Sequence, residues 1–312
     1  MTRFGDLAPL CRQVPSYTWC NLFFRQLQKH DPAVLTGLSS NAASAPMGVN
    51  PECGIPRVNH SIGNSSNSLG NIADIIACGL SLIAVVILLV WAGRRKAAVG
   101  RTEIRIFLVL YALTLPFQLL TTGAVLEQGS TALVVLTAIH AGFVAALFWS
   151  LLANGLVATQ VVEDGTLSSL VPFGIFTLAF FVATTYISLD TALSFTSTFG
   201  PSNPPSDLNN ISVFVLTSIW PGVAALLYFI VMAYVVLGIL RERRPMLFYL
   251  AAAVAFVLSQ LAWFLLGKVV CRRTNSKIDG SFIATVLETV SVFFIFFGWR
   301  SITEDTWDDG YY

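Results

Sequence analysis

Between Asn71 and Arg300 the chain holds seven apolar runs joined by short links. A helix rises about 1.5 Å per residue, so roughly 20 residues cross a hydrocarbon core of about 30 Å. The runs 71–91, 104–125, 131–158, 167–190, 211–239, 246–268 and 281–299 all approach or exceed that length. The expected fold is all-α: a polytopic, seven-transmembrane-helix bundle over 71–300, with a lumenal amino-terminal arm over 1–70 and a short tail over 301–312. The links leave no room for a soluble catalytic domain between spans. Charged residues make up 11% of the chain, against about 25% in soluble domains. The net charge of +1 gives no basic surplus for nucleic acid.

The placement of charge sets the expected orientation, because short cytoplasmic links carry surplus Lys and Arg. Arg94, Arg95, Lys96, Arg101 and Arg105 follow the first run, Arg241, Arg243 and Arg244 the fifth, and Arg300 the last. Against these nine stand Lys268, Arg272, Arg273 and Lys277 in the link before the seventh run. The balance predicts a lumenal amino terminus and a cytosolic carboxyl terminus. Glycosylation sequons at Asn59 and Asn64 fall on the predicted lumenal side; a third, at Asn210, sits too near the membrane for modification. Cys11, Cys20, Cys53 and Cys271 share that compartment, and only Cys78 lies inside a span. Four cysteines in an oxidising space allow two disulfides in three connectivities. The favoured pairing joins Cys11 to Cys20 and Cys53 to Cys271.

The chain opens without an apolar signal segment, so the first span is expected to carry the arm across the membrane. Within the arm, residues 17–29 (YTWCNLFFRQLQK) predict an amphipathic helix that places Trp19, Leu22, Phe23 and Leu27 on one face. That face is expected to cap the bundle. Residues 36–70, rich in Ser, Asn, Gly and Pro, read as a tether.

Polar groups inside the runs are few. Asp74 lies near enough to the lumenal end to reach water, and Pro116 interrupts the second run. Ser281, Thr285, Glu288 and Ser291 recur at helical spacing as one polar stripe. A carboxylate at that depth costs several kcal/mol, so Glu288 is expected to face the bundle or a partner. Three readings are open: an ion path, a partner interface, or an interhelical hydrogen bond to His140, Asn154 or Gln260. With the Ala251–Ala253 run of span six, the stripe is the expected partner-binding face. Asp279 just before it and the Glu163-Asp164-Gly165 turn are further partner candidates. In the tail, Asp308, Asp309, Tyr311 and Tyr312 supply an acidic and aromatic signal of the kind vesicle-coat proteins read.

No HExxH, Walker loop, GxSxG or zinc-binding cysteine motif occurs, and no carboxylate pair converges by spacing. The expectation is a non-enzyme without a cofactor. A seven-span receptor or sensor is the alternative, although the link after span three lacks an acidic-Arg pair and span seven lacks Asn-Pro-x-x-Tyr. A small transporter ranks third, since seven spans do not divide into two equal repeats.

Five segments in order, FGDLAPLC (4–11), AVGRTE (98–103), FWSLLANGLVATQVVEDGT (148–166), IDGSFIAT (278–285) and WRSITEDTW (299–307), resemble the fungal chitin synthase export chaperone family. The cysteine positions fit that resemblance. The link 127–130 (EQGS) lacks the Pro-Pro-Gly turn associated with the family, which marks a divergent member. The resemblance implies an endoplasmic-reticulum membrane protein that helps a polytopic chitin synthase fold and leave that compartment. Its partners would be the synthase, the bilayer and, through the tail, coat proteins.

Overall fold

The computed structural model describes residues 3–14, 16–35, 44–45, 55–56, 70–95, 98–123, 125–161, 163–275 and 277–303. Asn59, Asn64, Cys53 and the tail residues Asp308, Asp309, Tyr311 and Tyr312 lie outside them. Seven helices among the described residues are long and apolar enough to cross a membrane: Ile72–Arg94, Arg101–Thr122, Thr131–Ala158, Leu167–Leu193, Ile211–Ile239, Arg244–Arg273 and Gly280–Thr303. They are spans one to seven below. A two-residue antiparallel pairing, Ser44–Ala45 with Ile55–Pro56, is the one sheet among the described residues.

Local chemistry sets the boundaries. Ser130 Oγ accepts from Leu133 N and starts span three, and Asn210 Oδ1 accepts from Val213 N and starts span five. Each satisfies a backbone donor that a helix start leaves free. Asn210 also donates to Thr191 and to the Phe199 carbonyl, so its sequon side chain is buried as a cap. Spans two and four run through Pro116 and Pro172. Span five meets Pro221 with a π-helical turn at Val215–Ile219, and similar turns occur at Tyr234–Ile239 and Ala262–Leu266. A proline removes one hydrogen bond of the ladder, and a wider turn absorbs the mismatch.

Spans one, two, three and four pack in sequence, span five lies on span three, and span seven sits between spans one and six. Spans three and four approach closely at Gly142, where an added Cβ would lie 2.8 Å from the Phe181 carbonyl oxygen. Lipid offers little hydrophobic reward for helix association, so such close backbone contact holds the pair. Aromatic stacking extends it: Phe180 lies flat between Trp149 and Trp220, at centroid distances of 5.7 and 4.6 Å. Spans five and six touch each other far less than either touches its other neighbour.

The arm closes one end of the bundle, here called the arm end. Its helices are α1 (Ala8–Gln13) and α2 (Cys20–His30), joined by a Cys11–Cys20 disulfide. Trp19, Leu22, Phe23 and Leu27 are buried, as are Asn21, Phe24 and Gln26, so α2 is enclosed on more than the predicted face. Asn21 donates to the Thr121 carbonyl and to Thr137 Oγ1, Arg25 to the Gly129 carbonyl, and Lys29 to the Leu193 carbonyl. These bonds seat the arm on the ends of spans two to four.

Candidate functional site: a polar seam, an interior cavity and a far-end clamp

The polar residues of span seven face two directions. At about 100° per residue, Thr289 and Ser291 point about 160° apart, so a stripe only four residues wide divides between neighbours. Ser281, Thr285 and Thr289 turn towards spans one and two. Thr285 donates to Asp74 Oδ1 (2.8 Å), Thr122 donates to Asp74 Oδ2 (2.9 Å), and Gln118 Nε2 donates to Thr285 Oγ1 (2.7 Å). Deeper in, Thr289 donates to Ser81 Oγ and meets the Tyr111 hydroxyl at 2.9 Å. Asp74 is fully buried and bonded within this seam, so the expectation that it reaches water is corrected.

At the arm end the seam joins the arm itself. Asp279 receives the hydroxyls of Ser16 and Ser281, and Asn71 Nδ2 donates to Ser281 Oγ (3.0 Å). Burial raises the Asp279 carboxyl above its usual range, against the lowering effect of these hydrogen bonds. Gly280 follows it with room for no side chain: an added Cβ would come within 2.3 Å of the Ala262 carbonyl oxygen. Tyr17, whose hydroxyl lies 3.2 Å from Ser218 Oγ, is buried with its pKa pushed up to about 12 by desolvation.

The other half of the stripe faces span six. Ser291 donates to the Ala252 carbonyl (2.9 Å), and Gln260 Nε2 donates to Glu288 Oε1 (3.3 Å). Ser281, Thr285, Ser291 and Asp279 are therefore buried and bonded within the bundle. With the alanine run of span six they are the partner candidates read from the sequence, and in this structure spans six and seven pack on each other. Of the three partners considered for Glu288, Gln260 is the one observed. His140 instead meets Thr121 Oγ1 and the Trp19 ring, and Asn154 donates to the Glu103 and Ser150 carbonyls.

Glu288 opens into a cavity of about 410 Å³ enclosed by spans two, three, five, six and seven and by Tyr17, Thr18 and Trp19 of the arm. Among the described residues no group of three or more His, Cys, Asp or Glu side chains could hold a metal ion.

The opposite, far end is clamped by residues that sequence reasoning quoted but did not pair. Asp164 Oδ2 accepts from Gly100 N (2.8 Å), capping span two from the link after span three. In return, Glu103 of span two accepts from Gly165 N and from Ser169 Oγ, each at 3.0 Å. Trp299 Nε1 donates to the Val99 carbonyl (2.9 Å) and draws span seven into the same corner. Asp164 is thus engaged within the chain, while Glu163 beside it is exposed. Glu103 carried a signal in the sequence, an acidic residue in a helix's first turn, but its partners lie more than 60 residues away. Cys271 is disulfide-bonded; its expected partner Cys53 is outside the described residues.

The segments 98–103, 163–169 and 278–285 and Trp299 are therefore joints of the bundle. The family model described as "Chitin synthase export chaperone" matches residues 3–311. The chain belongs to the chitin synthase export chaperone family. Among curated relatives, proteins of that name from Gibberella zeae and Coccidioides immitis are 27% and 28% identical over 98% and 97% of this chain, and over 84% and 83% of their own lengths. The protein of that name from Phaeosphaeria nodorum is 29% identical over 72% of this chain and 66% of its own length. No solved structure matches.

Proposed function

We propose that this protein is a non-catalytic escort that holds a polytopic chitin synthase in the endoplasmic-reticulum membrane until the client can leave. The observation that carries this reading is the family match across 3–311, on a chain whose helical mass is seven membrane spans. The internal seam supports it, because its hydroxyls and carboxyls join helices to one another. The surface most open to a client helix is then the membrane face of span four. Span four is the least enclosed, with Ile175, Leu178 and Val182 all exposed.

The arm lies in the lumen and the tail in the cytosol. The nine-to-four charge balance supports that orientation, and the Cys11–Cys20 disulfide suits an oxidising compartment. Asn59 and Asn64 are the sites for glycans. Glu163 is the exposed acid available to a cytosolic partner, and Asp308, Asp309, Tyr311 and Tyr312 engage the coat that carries the client onward.

The test is capture in mild detergent from microsomes, followed by mass spectrometry. A synthase recovered in stoichiometric amount, and trapped in the endoplasmic reticulum when this gene is deleted, is the expected result. Normal delivery of the synthase to the cell surface in the deletion strain refutes the escort reading.

A further inference from the structure

The interior cavity has a polar end and an apolar end. Thr18, Gln118, His140, Thr217, Gln260 and Glu288 line the part nearer the arm. Glu288 lies about 12 Å along span seven from the arm end, at about 1.5 Å per residue. About 6 to 10 Å further along the same helix the lining becomes Val292 and Ile295, with Phe107, Leu147, Leu151 and Phe148 from spans two and three. Tyr228 and Tyr249 at that depth meet edge to face, with ring centroids 6.1 Å apart.

Access is from the membrane. Tyr17, Thr18 and Trp19 are buried over the arm end, which shuts the cavity from water there. Between the loosely packed spans five and six, Gly222, Leu226 and Val257 line the cavity and are also exposed on the outer surface. A ligand therefore enters sideways, between two helices, from the apolar phase.

The volume decides what kind of ligand fits. A helix about 10 Å across would fill 410 Å³ within roughly 5 Å of its length, a single turn. The space lies instead within the range of about 300–1,000 Å³ occupied by small molecules. Glu288 holds one long hydrogen bond, from Gln260 at 3.3 Å, and so retains acceptor capacity towards a donor in the cavity. We propose that the cavity is a lipid site, entered between spans five and six, for an amphipathic membrane lipid whose hydroxyl or amine head donates to Glu288. The head lies on the arm side, and the apolar body runs towards the middle of the membrane. Sterols and sphingoid bases share this chemistry.

The experiment compares photoreactive sterol and photoreactive sphingosine on the full-length protein in microsomes, with labelled peptides mapped by mass spectrometry. A Cβ at Gly222 meets nothing within 4 Å, so Gly222→Phe fills the mouth without disturbing the backbone. It is expected to lower labelling of span six and seven peptides about tenfold, a change of about 1.4 kcal/mol in binding, with an unaltered melting temperature. Val257→Trp blocks the other rim and is expected to act alike should Gly222→Phe fold poorly. Leu80→Phe, on the exposed face of span one and away from the cavity, is expected to leave lipid labelling unchanged. Glu288→Gln lowers labelling by the amine probe more than by the sterol if the head is an amine, and the stronger probe names the source. Undiminished labelling in both mouth variants overturns the proposal. So does a photoreactive residue at Val257 that crosslinks to protein in place of lipid.

Discussion

Asp74 is the residue whose removal tests the seam most directly. Asp74→Leu deletes the acceptors for Thr285 and Thr122, at 2.8 and 2.9 Å. Neither hydroxyl is then orphaned, because Thr285 also lies 2.9 Å from the Ser281 carbonyl and Thr122 lies 2.7 Å from that of Gln118. The loss is therefore that of two interhelical bonds in a membrane interior, each worth about 0.6 kcal/mol on average and up to about 1.7. The expected destabilisation is about 1–3 kcal/mol, below the 3–5 kcal/mol or so that follows breaking a buried ion pair. Asp74→Asn keeps one carbonyl acceptor towards Thr285 and turns a donor towards the Thr122 hydroxyl, which can accept, so it should cost about 1 kcal/mol or less. Thermal unfolding of detergent-purified protein, followed by fluorescence-detected size exclusion, reads both variants. An Asp74→Asn variant as unstable as Asp74→Leu would refute the reasoning, since the charge and not the bonding pattern would then hold the spans together.

At the far end, Glu103→Ala removes the acceptor for Gly165 N and Ser169 Oγ and is expected to cost about 2–4 kcal/mol, with new protease cleavage at the 163–166 turn. Tyr17 has its pKa raised to about 12, so its contribution is whole below about 10, the ordinary value, and lost as pH climbs through 12. The arm should loosen in that alkaline window, seen as a change in Trp19 emission, and Tyr17→Phe should remove that part of the response. Cys11→Ser opens a short loop and should lower stability by about 2–3 kcal/mol, measured by thermal melting, while non-reducing peptide mapping should find Cys53 joined to Cys271.

Much of the architecture was legible because a bilayer imposes one rule on every span. Runs of about 20 apolar residues must be helices, and the predicted 131–158 and 211–239 coincide with the observed third and fifth spans. The α2 helix was legible for a similar reason, since Trp19, Leu22, Phe23 and Leu27 recur on one face. The stripe on span seven was legible, and Gln260 was among the partners weighed for Glu288, but the neighbours that Ser281, Thr285 and Ser291 meet were not. Periodicity places residues on a face without saying which neighbour meets it, and Thr289, which carries the seam deeper, fell outside the chosen set.

The sequence by itself determined that this chain is a seven-span helical bundle of its family, because span length, loop charge and an ordered set of segments are all local properties. Only the tertiary structure decided that Asp74 is buried, that Asp164 caps a helix more than 60 residues away, and that Glu288 looks into a cavity. Each of those outcomes depends on how helices rotate about their own axes and which pairs leave a gap. Packing settles such rotations collectively, through contacts between residues too far apart in the chain for any local pattern to record.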